Sequence, residues 1–307
     1  MNSNRLKSYL ILILVAAIWG AAGPIIKFTL QGIDPLPFLA YRLTIAAIFS
    51  VLFFLLKIKR GKQFKRFRAN LATLVLYGFL AVPLALGILF VGIDKSTVLD
   101  LTLIGVIGPL IVTLGGAIFF KDRITQKEKL GIGIVLIGFI LNSLIPFLGK
   151  EENIRLSGNI LLILFLLADS SATLISKRLI QKKVKPSNLS NFAFIVGFFV
   201  VIPIALLFYG RDNLTDIIFS LPLKYHLGVW YMALISGNLA YFLYVRGQRS
   251  IEVSEAVLFN YLQPLFMIPL AVFWLKEKLS LSFIIGAIII AIGLVIAETK
   301  KRSYNTK

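Results

Sequence analysis

The stretch "GPLIVTLGGAIFFKDRITQKEKLGIGIVLIGFIL", residues 108–141, returns near the end of the chain as "QPLFMIPLAVFWLKEKLSLSFIIGAIIIAIGLVI", residues 263–296, at a constant offset of 155. Pro109 meets Pro264, Lys121-Asp122-Arg123 meets Lys276-Glu277-Lys278, and Gly131 and Gly138 meet Gly286 and Gly293. Further upstream, Ala22, Ile25, Lys27 and Gln31 meet Ala172, Ile175, Lys177 and Gln181 at an offset of 150. The chain therefore reads as two copies of one unit, 1–150 and 151–307.

Composition decides what each unit is. At 58% hydrophobic, 15% charged and a mean hydropathy of +0.88, the 307 residues are far more apolar than a soluble domain. The apolar residues fall into ten blocks: 8–29, 36–56, 70–91, 97–120, 128–147, 157–177, 188–209, 222–245, 253–275 and 280–297. Most are near the 20 residues that a helix needs to cross a bilayer. They lack the period-2 alternation of barrel strands, and a lone spanning segment can satisfy its own backbone only as a helix. The expected fold is all-α and integral to the membrane, with ten transmembrane helices in two five-helix repeats. Because five is odd, the second repeat enters from the opposite side, which makes the topology inverted. The first block follows "MNSNRLKSY" without a small-residue cleavage site and reads as a retained span.

Basic residues alternate by side. With the N-terminus inside, 24 fall on cytoplasmic segments and 8 on the opposite side, with Arg42 inside a span. That asymmetry predicts a plasma-membrane protein with both termini cytoplasmic. It also explains the net charge of +19 without nucleic acid: "KIKRGKQFKRFR", residues 57–68, reads as an anchor on anionic lipid. Cysteine is absent, which removes disulfides, thiolate catalysis and cysteine-ligated metals. The single histidine, His226, reads as an interfacial side chain near a helix end. "GIGIVLIG", residues 131–138, lies in a membrane helix rather than after a strand, so its glycines serve helix packing instead of a dinucleotide. Neither cofactor nor metal is expected.

Ionisable residues at membrane depth mark chemistry, because an unpaired charge there costs several kcal/mol. Counted from the predicted helix ends, Asp100 lies ~5 Å deep, Arg42 ~9 Å and Asp169 ~18 Å. Arg42 can reach either acid, with Asp100 the better match in depth. A structural ion pair and recognition of a solute carboxylate are its two readings. Asp169, Ser170, Thr173 and Ser176 share a helical sector and can line a cavity or bond neighbouring helices. Asn260 and Gln263 flank Pro264 at a spacing of three, and Ser236, Asn238 and Tyr241 form a similar polar patch. With Trp19, Tyr77 and Tyr261, these groups suit a small polar organic solute with some apolar surface. Asp169, the deepest acid, is the candidate for proton coupling. Glu252 and Glu255 read as helix-start residues.

Inverted repeats supply the logic of alternating access, since exchanging the two units' conformations turns an inward cavity outward. A secondary transporter is the function expected on that ground, handling a small-molecule solute among membrane lipids. A channel or structural protein and, behind it, a lipid-modifying enzyme are the alternatives. The enzyme would need paired acids or a nucleophile with its base in one place, and the intramembrane acids occur singly.

"AAIWGAAGPIIKF", "DPLPFLAYRLTIAA", the segments around Pro109 and Pro264, and the acidic turns "FFKDRIT" and "WLKEKLS" together resemble the EamA family of the drug/metabolite transporter superfamily. The resemblance covers nearly the whole chain. It implies ten helices in two inverted repeats, a cavity lined by helices one to four and six to nine, and more peripheral helices five and ten. It also implies movement of small metabolites or drugs, often outward. Two departures stand out. Lys121 and Lys276 precede the acid of each turn where the family usually has glycine, and Asp169 stands opposite Trp19 of the first repeat.

Overall fold

The computed structural model describes residues 3–57, 62–121, 124–144, 153–247 and 259–298. Among them every regular element is helical and there is no strand. Helices α1 (Ser3–Thr29) and α2 (Pro35–Lys57) are followed by a short basic helix, Lys62–Ala69. Next come α3 (Leu71–Lys95), α4 (Val98–Phe120) and α5 (Gln126–Leu144). The remainder holds α6 (Asn153–Gln181), α7 (Pro186–Tyr209), a short helix Arg211–Phe219, α8 (Leu223–Tyr244), α9 (Phe259–Trp274) and α10 (Leu281–Glu298).

Seven of these, α1 to α4 and α6 to α8, are long and apolar enough to cross a membrane. The other three predicted spans fall on helices that are apolar but shorter, or charged at one end. α5 begins with Lys127, Glu128 and Lys129, and the predicted start of α9 at 253–258 lies outside the described residues. So do Asp122, Arg123, Glu252 and Glu255. The third predicted span ended at residue 91, whereas α3 runs on to Lys95. Lys27 explains the extension: its Nζ donates to the carbonyls of Ile93, Asp94 and Ser96, each at 2.8 Å, and so satisfies a polar helix end.

Irregular turns recur along the bundle, most of them beside a proline. α3 widens into a π turn at Leu80–Leu84 around Pro83, and α8 widens at Tyr231–Leu239 without one. α4 breaks at 106–107 before Pro109, and α9 opens with a 3-10 turn, Phe259–Leu262, before Pro264. Lys121 and Lys276 have φ of 57° and 60°. Lysine thus holds a left-handed conformation at both turns, the positions where the resemblance implies glycine. The steric cost is about 1 kcal/mol, which a cation near a helix C-terminus partly offsets.

The ends of the bundle are defined by contact. At one end, called here the Lys27 end, Asp34 meets Tyr209, Tyr41 meets His226, and Phe28 meets Tyr225 and Trp274. At the other, Tyr9 meets Phe259, Phe67 meets Phe192, and Lys182 donates to Asn70. The largest fully buried side chains include Phe38, Phe90, Ile93, Val98 and Ile104, which pack near the Lys27 end. A smaller cluster of Leu74, Leu179, Val184 and Leu189 closes the opposite end. Phe119, Leu207 and Phe273 are among the many large apolar side chains that remain exposed, as a surface in hydrocarbon requires.

α5 with α10 is one of the two most extensive helix pairs, the other being α3 with α6. A Cβ on Gly131 would lie 2.5 Å from the Gly293 carbonyl oxygen, and one on Gly138 would lie 3.0 Å from that of Gly286. The early glycine of one helix thus meets the late glycine of the other, so the two run antiparallel with backbones in contact. Gly131→Ala is expected to destabilise the protein by roughly 1–3 kcal/mol, because backbone rather than a flexible side chain must give way. Gly133→Ala, where a Cβ meets nothing within 4 Å, is the matched control. Thermal unfolding in detergent checks both, and equal effects at the two positions would refute the close-packing account.

Candidate functional site

The interior polar groups gather around the π segment of α8. A π turn displaces carbonyls from their usual helical partners, and side chains can take them up. Here Arg42 of α2 donates through Nε to the Met232 carbonyl at 3.1 Å, and Trp19 of α1 donates to that of Ser236 at 3.1 Å. Asn238 donates to the Ala233 carbonyl at 3.4 Å. Tyr231 ties the same segment to α1 by donating to the Ile18 carbonyl at 2.8 Å.

Arg42 is 4% exposed. Its guanidinium carbon lies 5.7 Å from the centre of the Phe90 ring, a cation–π contact that holds the fork flat. One terminal nitrogen, Nη1, is buried without a hydrogen-bond partner. No carboxylate among the described residues pairs with Arg42. Asp100, which matched it in depth, is instead held by Arg155: Nε donates to Oδ2 at 2.6 Å and Nη2 to Oδ1 at 2.9 Å. Ser96 also donates to this carboxylate, and Asp100 is 1% exposed. Asp100 thus belongs to a buried network at the Lys27 end rather than to a pair with Arg42. Depth within the predicted spans could not single out Arg155, which falls just before the predicted sixth span, 157–177, whereas α6 begins at Asn153.

Asp169 of α6 is accessible, as is Thr173 one turn on, and Ser176 is half-buried below them. Ser170 departs from the expected sector. It is 2% exposed and shares a face with Leu166 and Leu174, which pack on Gly108 and Gly115 of α4. It therefore lies in a helix interface. The Tyr241 hydroxyl of α8 is within electrostatic reach of both Arg42 and Asp169, and Tyr77 of α3 is within reach of Asp169 and Tyr241. Trp19 closes one wall, its ring 5.4 Å from Tyr241 and 5.2 Å from Tyr244. Asn260 and Gln263 bond each other at 3.4 Å, and the Gln263 carbonyl lies against Gly20, whose missing Cβ would stand 2.7 Å from it. A buried cation, an accessible carboxylate, hydroxyls and aromatic rings from both halves of the chain thus lie close together near the π segment of α8.

His226 is bound more closely than an interfacial side chain needs to be. Its Nδ1 is 3.0 Å from the Tyr41 hydroxyl, which also accepts from Trp230 Nε1 at 2.9 Å. Tyr41 directly precedes Arg42, so this cluster steadies α2 beside the guanidinium. Nothing in the spacing of the sequence foretold it.

A family model described as the EamA-like transporter family matches residues 6–144 and again residues 156–299. The chain belongs to this family. Similar proteins of the EamA-like kind include an uncharacterized transporter, YyaM, of Bacillus subtilis, 24% identical over 99% of this chain and 98% of its own length. A probable amino-acid metabolite efflux pump of Salmonella typhimurium is 24% identical, covering 92% of each chain. An uncharacterized transporter of Archaeoglobus fulgidus is also 24% identical, over 96% of this chain and the whole of its own. One solved crystal structure superposes with a TM-score of 0.60 over 96% of this chain and 98% of its own at 15% identity, a likeness of fold. The chain is thus an integral membrane protein of a transporter family.

Proposed function

We propose that the protein is a secondary transporter of the plasma membrane that moves a small polar organic solute by alternating access. The observation that carries this reading is the crossed glycine contact. The offset of 155 converts Gly131 to Gly286 and Gly293 to Gly138, so it turns one of the two α5–α10 contacts into the other. That is the relation expected of two five-helix units, 1–150 and 151–307, around a twofold axis in the membrane plane. Matched interruptions of α4 and α9 before Pro109 and Pro264 support it, as does the packing of α1 on α8 and of α3 on α6. The distribution of basic residues supports cytoplasmic termini and an outer Lys27 end.

The solute end of the cavity is assigned to Arg42, whose unpartnered Nη1 suits a carboxylate, with Asp169, Thr173, Asn238 and Tyr241 facing the remainder. Asp169 is proposed to exchange a proton during the cycle. An amino-acid metabolite has the right chemistry, and one relative carries that description. The named relatives are transporters and efflux pumps, which favours a carrier over an enzyme. Counterflow in proteoliposomes against amino acids, nucleosides and cationic drugs tests the proposal. Saturable exchange is expected, and single-channel currents without it would make the protein a channel.

The inverted arrangement makes a sharper prediction. Reporters fused after Lys127 and after Leu279 follow the matched turns and are expected to report opposite compartments. Reporters on the same side would sink the ten-span reading.

A further inference from the structure

The two units touch in two different ways. Along α5 and α10 the contact is backbone on backbone, through glycine. At the Lys27 end it is polar, and it converges on the first turn of α4. Glu277, in the turn after α9, accepts from the backbone N–H of Val98 through Oε1 at 2.8 Å and of Leu99 through Oε2 at 2.9 Å. Thr97 takes the next N–H, that of Asp100, at 3.0 Å, and the Asp100 side chain receives Arg155 from the start of α6. A carboxylate and a guanidinium from the second unit thus hold the tip of the first. Lys27 braces the facing end of α3 from within the first unit.

We propose that Glu277 and Arg155, acting on the first turn of α4, form a releasable latch that closes the outer mouth of the cavity and lets go when the protein opens outward. The proposal rests on the alternating-access reading. Polar bonds can be exchanged for water at a membrane surface, whereas the glycine contact in hydrocarbon has no such substitute. When the units rock, the contact at the Lys27 end is therefore the one that parts. Burial pushes the Glu277 carboxyl above its ordinary value, with nearby Asp100 adding to the rise. The two backbone bonds and Lys27 pull the other way without cancelling it. The ionised group regains hydration on release, so the latch is not locked. All four residues also have charge-matched counterparts at the repeat offsets: Lys27 with Lys177, Arg155 with Arg5, Asp100 with Glu255 and Glu277 with Asp122.

The natural absence of cysteine permits a direct test. Lys95 and Lys278 are both exposed at this end, and replacing each with a spin-labelled cysteine in the full chain reports the separation of the α3–α4 tip from the α9–α10 turn. In nanodiscs, Glu277→Ala is expected to raise the ratio of long- to short-distance populations about tenfold, since two charge-assisted bonds are lost. Arg155→Gln should move it the same way, and it serves in place of Glu277→Ala should that variant fold poorly. Asp122→Ala, the same change at the sequence counterpart, should not lengthen the distance. An unchanged distribution in both Glu277→Ala and Arg155→Gln overturns the latch, and so does equal lengthening in Asp122→Ala, which would signify general loosening. Counterflow of the same variants in proteoliposomes separates this result from the transport reading. Wild-type counterflow with unmoved distances overturns the latch alone, while a shift in the variants supports the latch whatever the panel shows.

Discussion

Arg42→Lys is expected to lower solute counterflow about 100-fold while leaving the amount of folded protein close to wild type, because charge survives and geometry does not. Lysine keeps a cation at this depth. It loses the Nε–H bond to the Met232 carbonyl and the flat face held over Phe90. It also loses the rigid fork that directs Nη1, the nitrogen without a protein partner. A hydrogen bond from a charged donor is worth about 1.5–3 kcal/mol, the size of a hundredfold change when the bond orients the group that meets the solute. Arg42→Gln removes the charge as well and should cost more. Unchanged kinetics in Arg42→Gln would show that no solute group depends on the cation. A fall in folded protein alone, with normal activity per molecule, would make Arg42 a packing residue of the π segment.

Asp169→Asn separates binding from coupling. The amide keeps the size of the carboxylate and much of its hydrogen bonding, and it cannot titrate. A carboxyl group whose surroundings alternate between wet and dry exchanges a proton with each change. The mutant should therefore lose transport driven by a pH gradient, by at least about tenfold, and keep solute exchange at equal pH. Gradient-driven transport at the wild-type rate would exclude Asp169 as the proton site. Loss of both activities would place it in binding or folding, beside Thr173 and within reach of Tyr77 and Tyr241.

Much of this architecture is legible in the sequence because the bilayer enforces it. Hydrocarbon thickness sets segment length, and the helical backbone leaves few alternatives. The offset of 155 singled out Gly131, Gly138, Gly286 and Gly293 before any contact was known, and the same four meet in α5 and α10. The partners of buried charges were not legible. Asp100 and Arg42 lie at similar predicted depth, yet the carboxylate turns to Arg155, because rotation about a helix axis is not encoded in distance from its end. The same ambiguity misplaced Ser170, which sits 100° around α6 from Asp169. The π turn of α8 escaped notice too. Its glycine, Gly237, looks like any small residue at a helix interface, although a Cβ there would stand 3.1 Å from the Met232 carbonyl, the acceptor for Arg42.

The pairing of α5 with α10 also fixes an order of events during synthesis. α5 is complete by Leu144, but the surface against which its glycines fit starts at Leu281, in a helix made only after α6 to α9. Until then the Gly131 face can rest only on lipid or on a surrogate helix, so the first half of the chain waits in the membrane with its groove open. A nascent chain arrested before α10 should remain accessible to proteases and insertion factors that the α5–α10 pair excludes, and assembly of this pair becomes committed only with α10.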